Sequence, residues 1–185
     1  MCYVRSYLRC WAGPILTAKL DFEQFTVQNQ AFILDTSGNN PRGEGLIGLG
    51  PNSGSRIHQV LNSANGDTPL DRIFRQNAST PNILTIYLGR SDDPTDPFPG
   101  DLTIGEPIPG FENVTSMPKL DVTDVKGGSG QHWQALLDVN GTRGPDGEPI
   151  RLTSRVKGGN KEQLHVVFDS GFSLPQVPKY VSFLL

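Results

Sequence analysis

The segment from Leu164 to Ser173 places the strongest constraint on what this chain can fold into. Its sequence is LHVVFDSGFS, in which an apolar run ends at Asp169 and is followed at once by Ser170 and Gly171. Short apolar runs bounded by turn residues are typical of buried strands, and a glycine at the end marks a sharp turn. A carboxylate at the end of a buried strand is costly unless a partner compensates it. Asp169 is therefore the strongest candidate for a reacting group.

Short strands joined by turns are the prediction for the rest of the chain. The 185 residues include 21 Gly and 15 Pro, which favours turns and short strands over long helices. From Leu16 to Glu23 apolar and polar residues alternate, as in a strand with one buried face. The register changes at Phe25 and Val27, which indicates a bend, a bulge or a turn. We expect an all-β fold with a few short helices.

Two short helices are predicted from helical spacing of apolar residues. One covers Ser55–Ala64, with Ser53 or Ser55 as N-cap, and the other covers Thr68–Gln76, with Thr68 as N-cap. The buried stripe of the second helix is Leu70, Ile73 and Phe74. Further strands are predicted over Ala31–Leu34, Asn82–Gly89, Asp101–Gly105, His132–Val139, Ile150–Val156 and Gln163–Phe168, and a last helical pattern joins Val177, Val181 and Leu184.

The segment around Leu46, Ile47 and Gly48 fits neither a helix nor an ordinary strand, because glycine alternates with large aliphatic residues. Glycine at Gly48 and Gly50 is expected to let another backbone approach closely. The segment does not match a phosphate-binding loop, since no lysine follows and no helix opens at the required place.

The charge balance and the acidic residues exclude several classes of function. The formal net charge is −3, which does not indicate nucleic acid or an anionic membrane surface as a partner. No apolar run is long enough to span a bilayer. Asp92, Asp93 and Asp96 lie in a proline-rich stretch whose spacing fits no calcium loop, so we expect no metal site there. The sequence calls for no cofactor.

The N-terminal segment and the glycosylation patterns favour different compartments. Met1–Cys10 contains two arginines and no continuous apolar stretch, so it does not have the pattern of a secretory signal. Cys2 and Cys10 are the two cysteines of the chain, and free thiols are favoured over one disulfide. Candidate N-glycosylation acceptors that instead favour a secretory protein are Asn77, Asn113 and Asn140. A truncated N-terminus would reconcile the two observations.

The order of motifs along the chain resembles the pepsin-like aspartic proteases, closest to the fungal type. The resemblance extends from about Gly13 to Val181, and it depends on five features in sequence rather than on one strong motif. These are Gly13–Val27, Asn29–Phe32, Glu44–Gly50, the pair Leu84–Gly89 and Gly100–Gly105, and Val166–Ser173.

The resemblance implies a fold of two similar all-β lobes, each of which supplies one catalytic Asp. Asp169 would be one of the two carboxylates, with Ser170 linking the active-site turns and Gly171 permitting the turn. Leu46–Gly48 would form the strand that crosses beside the first lobe's turn. The family usually has a hydroxyl directly after the glycine, whereas this chain has Phe172 there and the hydroxyl one place later, at Ser173.

Compared with the family, the chain lacks the first catalytic Asp and the flap. Asp35–Gly38 does not replace that Asp, because an extra Ser precedes the glycine and no room is left for a flap. The expected organisation is an atypical segment over 1–12, the remainder of the first lobe over 13–107 and the first part of the second lobe over 108–185. We expect such a partial chain to be inactive alone.

The resemblance also sets expectations for partners and location. The substrate would be a polypeptide, with no nucleic acid or membrane partner and no cofactor or metal. The complete protein would be a monomer, extracellular or vacuolar, although this chain shows no signal peptide.

Two other functions remain open from the residues. One is a non-catalytic β-rich binding module or pseudo-protease. The other is a glycosylated carbohydrate-binding β-domain, with Trp11, Trp133 and Tyr87 as stacking residues, although Trp133 lies in an apolar strand and core packing is expected for it. For Asp169 the alternative is a side chain that caps a turn at the end of a strand.

Overall fold

The computed structural model describes residues 13–35, 45–89, 95, 100–123, 132–150 and 163–171. Over these residues the chain consists mainly of strands in small antiparallel sheets, with a few short helices, so the predicted all-β class is confirmed at this coarse level. The described residues belong to two compact units, one within Met1–Tyr87 and Asp101–Glu112 and the other within Leu88–Gly100 and Asn113–Leu185. Among the described helices, none is long and apolar enough to cross a membrane.

The first unit begins with a hairpin of strands β1, Ile15–Phe22, and β2, Phe25–Ile33. A tight turn separates them, and Glu23 adopts a positive φ of 53° there. The pairing shifts between Ala18 and Leu20, which marks a bulge in the ladder. The register change that the alternation predicted is therefore confirmed as a turn. The strand predicted over Ala31–Leu34 is the end of β2 and not a separate element.

Two α-helices follow, α1 over Arg56–Leu61 and α2 over Pro69–Gln76. Ser55 caps α1, because its hydroxyl accepts a hydrogen bond from the backbone N–H of His58 at 3.2 Å. The helix ends earlier than predicted because Asn62 adopts the left-handed conformation. Thr68 occupies the N-cap position of α2 as predicted, but its hydroxyl makes no capping bond.

The core of the first unit forms where α2 packs among strands. Its buried side chains come from β2, α2 and the strand Asp101–Ile104, and they are Val27, Leu70, Ile73 and Ile104. Strand β3, Leu84–Tyr87, pairs antiparallel with β4, Asp101–Ile104. Both strands lie within the ranges that the sequence predicted. The apolar stripe predicted for α2 is confirmed, since Leu70 and Ile73 are buried and Phe74 packs against the cluster.

The second unit contains a smaller sheet, in which strand β5, Gln134–Leu136, pairs antiparallel with β6, His165–Val167. Both strands are shorter than predicted. A turn after β5 places Asn140 at a φ of 64°, in agreement with the Asn-Gly turn signal. The strand predicted over Ile150–Val156 and the helical pattern after Pro178 lie outside the described residues, apart from Ile150 itself.

Substitution of Ile73 by alanine should reveal how much the first unit depends on this core. Ile73 is fully buried, and truncation of such a side chain leaves a cavity that costs about 3 kcal/mol in the free energy of unfolding. Val60→Ala on α1 is the matched control, because Val60 is 64% exposed and should change stability by less than about 0.5 kcal/mol. Urea unfolding followed by circular dichroism measures both, and equal losses would contradict this account of the core.

Candidate active site

Asp169 lies in the second unit, two residues after the end of β6, and its side chain is exposed. The backbone N–H of Gly171 donates a hydrogen bond to Oδ1 of Asp169 at 2.9 Å. This bond closes a turn in which an Asp side chain replaces a backbone carbonyl. The chain stays paired with the neighbouring strand up to the turn, because the N–H of Phe168 donates to the carbonyl of Trp133 at 2.8 Å. The carboxylate is thus held at a defined place and faces solvent with Oδ2 unbonded among the described residues.

Gly171 fits this turn for a steric reason. A Cβ atom added there would lie 3.1 Å from Oδ1 of Asp169, which is tighter than ordinary van der Waals contact. Ser170 is exposed beside it. Ser173, the predicted orienting hydroxyl, lies outside the described residues.

The strand that leads to Asp169 is less buried than its apolar sequence predicted. Val167 is exposed on the surface, and Phe168 is 61% exposed. The sheet has two described strands, and so small a sheet covers little of either face. The expectation that Asp169 terminates a buried strand is therefore wrong for the described part of the chain. Its carboxylate also needs no buried partner to offset desolvation.

The Leu46–Gly48 segment belongs to the first unit and has no regular secondary structure. Leu46 is 73% exposed, and Ile47 is exposed as well. Among the described residues, and apart from the two chain neighbours of each glycine, no atom lies within 4 Å of the place where a Cβ would sit on Gly48 or Gly50. The predicted close approach of a backbone is therefore wrong at these glycines, since no described strand lies beside them. Such an approach occurs at Gly13 instead, against the carbonyl of Leu34.

The three candidate glycosylation residues occupy different local structures, and all are exposed. Asn77 is the C-cap of α2. Asn113 lies within a short 3-10 helix, Glu112–Ser116. Asn140 lies in the turn after β5.

Trp133 does not pack into a core as its apolar strand suggested, because it is 41% exposed. Its position just before β5, in a sheet of two described strands, leaves part of the indole uncovered. The Tyr87 ring packs against Phe111, with the ring centroids 5.4 Å apart. Trp11 lies outside the described residues.

A buried ionic cluster in the first unit has no counterpart among the predicted sites. Asp67 is 5% exposed, and both of its carboxylate oxygens are engaged. Nδ1 of His58 lies 2.7 Å from Oδ1, and Nη1 of Arg75 lies 2.7 Å from Oδ2. Nε of Arg75 also lies 3.0 Å from Oδ2 of Asp71, one turn earlier on α2. Only one ion pair of this cluster could be predicted from the sequence, because Asp71 and Arg75 are four residues apart on one helix. His58 and Asp67 are brought together by the fold.

The cluster is fixed to its surroundings through the backbone. Nε2 of Gln30, on β2, donates to the carbonyl of Asp67 at 3.0 Å. Oδ1 of Asn52 accepts from the N–H of Thr68 at 2.6 Å. An Asp–His pair can orient a histidine for catalysis, but Nε2 of His58 has no nucleophile hydrogen-bonded to it among the described residues. The contacts therefore assign the cluster a stabilising role.

Within the described residues, no group of three or more His, Cys, Asp or Glu side chains is placed to hold a metal ion. The acidic residues Asp92, Asp93 and Asp96 lie outside those residues, as do Cys2 and Cys10.

Substitution of Asp67 by asparagine should destabilise the first unit. The amide can accept one of the two bonds but loses the charge that faces His58 and Arg75, and hydrogen bonds to charged groups are worth about 1.5–3 kcal/mol. Because both partners are partly exposed to solvent, we expect the free energy of unfolding to fall by about 2 kcal/mol. Asp71→Asn is the control, since it removes a single helical pair worth about 0.5 kcal/mol. Equal losses for the two variants in urea unfolding would contradict the role given to Asp67.

Comparisons with known proteins identify no relative of this chain. No protein-family model matches it, and neither a curated protein nor a solved structure matches it. The interpretation of Asp169 therefore depends on the order of motifs in the sequence and on the local contacts of the turn.

Proposed function

We propose that this chain is part of an aspartic endopeptidase and that Asp169 is one of its two catalytic carboxylates. The observation that carries the proposal is the place of this carboxylate in the order of motifs, at the end of β6, where the N–H of Gly171 holds it facing solvent. A carboxylate in this position is oriented through one oxygen, and its other oxygen is accessible to water or substrate.

The order of motifs supports the same proposal. A hairpin, a Gly-aliphatic segment, a second strand pair and an Asp-Ser-Gly turn follow one another as in the pepsin-like proteases. The two-lobed pepsin-like arrangement is part of the proposal, and it is compatible with a chain built mainly from small antiparallel sheets.

The proposed mechanism needs two carboxylates that share one proton, because two such groups at close range do not both ionise. The ionised carboxylate takes a proton from a water molecule, and the water oxygen attacks the carbonyl carbon of the peptide bond. The protonated carboxyl stabilises the carbonyl oxygen, and a proton then passes to the leaving nitrogen as the C–N bond breaks. The reaction requires no metal and no cofactor.

In this scheme Gly171 and Asp169 have distinct roles. The N–H of Gly171 fixes Oδ1 of Asp169, which leaves Oδ2 for the shared proton or the water. Ser170 would link the two active-site turns, and Ser173 would supply the hydroxyl that the family has next to the glycine. Leu46–Gly48 would lie beside the active-site turn of the first lobe, as the matching segment does in the family.

The second carboxylate is not among the residues that match the family, so the chain alone is proposed to be inactive. The substrate is a polypeptide, and the complete protein is proposed to act as an extracellular or vacuolar monomer.

Proteolysis in acid tests the proposal. We expect no cleavage of casein at about pH 3 to 4 by the chain alone, because one carboxylate cannot form the shared-proton pair. A longer product, translated with the sequence encoded upstream of Met1 and downstream of Leu185, should cleave casein under the same conditions. Asp169→Asn, which keeps the acceptor for Gly171, should abolish that activity.

Asp146→Asn is the matched control, because Oδ1 of Asp146 accepts the N–H of Glu148 at 3.0 Å in the same kind of turn. It should leave cleavage unchanged. Cleavage that survives Asp169→Asn would refute the catalytic assignment. An upstream sequence without an Asp-Thr-Gly-like turn and a flap would favour the non-catalytic binding module.

The exposure of Trp133 favours a second candidate, a carbohydrate-binding β-domain. Trp133 is 41% exposed as a residue, and an exposed tryptophan can stack against a sugar ring. If this candidate is correct, the chain should retain specific glycans on an array and Trp133→Ala should lose them. An array without specific binding would remove this candidate and leave the protease proposal unaffected.

A further inference from the structure

The Asn77–Ala78–Ser79 tripeptide forms a closed local turn at the end of α2. The N–H of Thr80 donates to the carbonyl of Asn77 at 3.0 Å, so the chain reverses over four residues. The residues 76–79 are all exposed. The described hydrogen bonds that shape this turn all lie within three residues of Asn77, so local contacts hold it.

The Asn77 side chain takes part in the turn through its oxygen. Oδ1 accepts the N–H of Ser79 at 3.0 Å and the hydroxyl of Ser79 at 2.6 Å. Two donors at Oδ1 favour the imidate form of the amide, in which the nitrogen lone pair is available to form a bond. Nδ2 makes no hydrogen bond among the described residues, so the nitrogen is open to solvent.

The other two acceptor tripeptides differ from this arrangement. Asn113 lies within a 3-10 helix, where its backbone carbonyl accepts the hydroxyl of Ser116 at 2.8 Å. Asn140 has a positive φ of 64°, and its side chain accepts no hydrogen bond from Thr142 in the described structure. Asn77 therefore combines exposure with a direct bond between the acceptor amide and the hydroxyl two residues later.

We propose that Asn77 is a site of covalent N-glycosylation. The donor is an oligosaccharide carried on a lipid pyrophosphate. Nδ2 forms a bond to C1 of the first sugar, the bond from C1 to the pyrophosphate oxygen breaks, and the lipid pyrophosphate leaves with the electron pair. The amide proton passes to a base of the transferase.

The location is compatible with a bulky glycan. Asn77 follows the last residue of α2, and residues 75–79 are exposed and do not belong to the cluster that contains Ile73. A glycan there covers surface at the end of the helix and displaces no buried side chain. The proposal does not depend on proteolytic activity, because the turn and its exposure are properties of the first unit.

The test is site occupancy after passage through a eukaryotic secretory pathway. The full chain is expressed behind a cleavable leader, and both secreted and membrane-retained chains are treated with a peptide N-glycosidase in heavy-oxygen water. Each glycosylated asparagine becomes an oxygen-18-labelled aspartate, which peptide mass spectrometry locates. We expect the label at Asn77 in the parent protein and its complete loss in Ser79→Ala.

Ser79→Thr keeps the hydroxyl and should restore the label at Asn77. Asn113→Gln is the control that leaves the turn intact, and it should not change the label at Asn77. An unlabelled Asn77 in the parent, or a label that persists in Ser79→Ala, would overturn the proposal. The label at Asn77 is measured in the parent protein. The proposal can therefore be tested even if a variant folds poorly.

Discussion

The buried carboxylate of Asp67 fixes how the two helices and the hairpin of the first unit meet. An ionised side chain that is 5% exposed is stable only when charge and hydrogen bonds compensate its lost hydration. Arg75 supplies that compensation from α2 and His58 from α1, while Gln30 on β2 holds the carbonyl of the same residue. Asp67 thus joins the two helices and the hairpin. Its contacts also hold the short loop that leads into α2.

The position of α2 sets the rest of that unit. Arg72 donates to the carbonyls of Gln28 at 2.6 Å and Asn29 at 3.0 Å, beside the bulge of the hairpin. The next residue of the helix, Ile73, is buried in the apolar cluster. Polar contacts therefore fix where the helix lies, and apolar burial supplies much of its stability. In the described part of the second unit, Ala135 is the one buried apolar side chain, so that unit has a far smaller core.

Local patterns of the sequence predicted the local elements well. The cap at Ser55, the stripe of Leu70 and Ile73 and the turn before Phe25 each depend on residues close together in the chain. Burial of β6 and close approach at Gly48 were predicted wrongly, because each depends on a neighbouring strand that periodicity does not reveal. The pairing of His58 with Asp67 was missed for a similar reason, since the two residues are nine positions apart and the end of α1 lies between them.

The turn at Asp169 shows where local geometry stops determining chemistry. Asp146 and Asp169 both accept an N–H from the second residue after them, at 3.0 and 2.9 Å, and both are exposed. A single exposed carboxylate has no second carboxyl group with which to share a proton. A second carboxylate at close range changes this, because mutual repulsion raises the pKa of one member of a pair. The turn can therefore orient an acid, but the catalytic property belongs to a pair of carboxylates, and the proposed activity requires the second one.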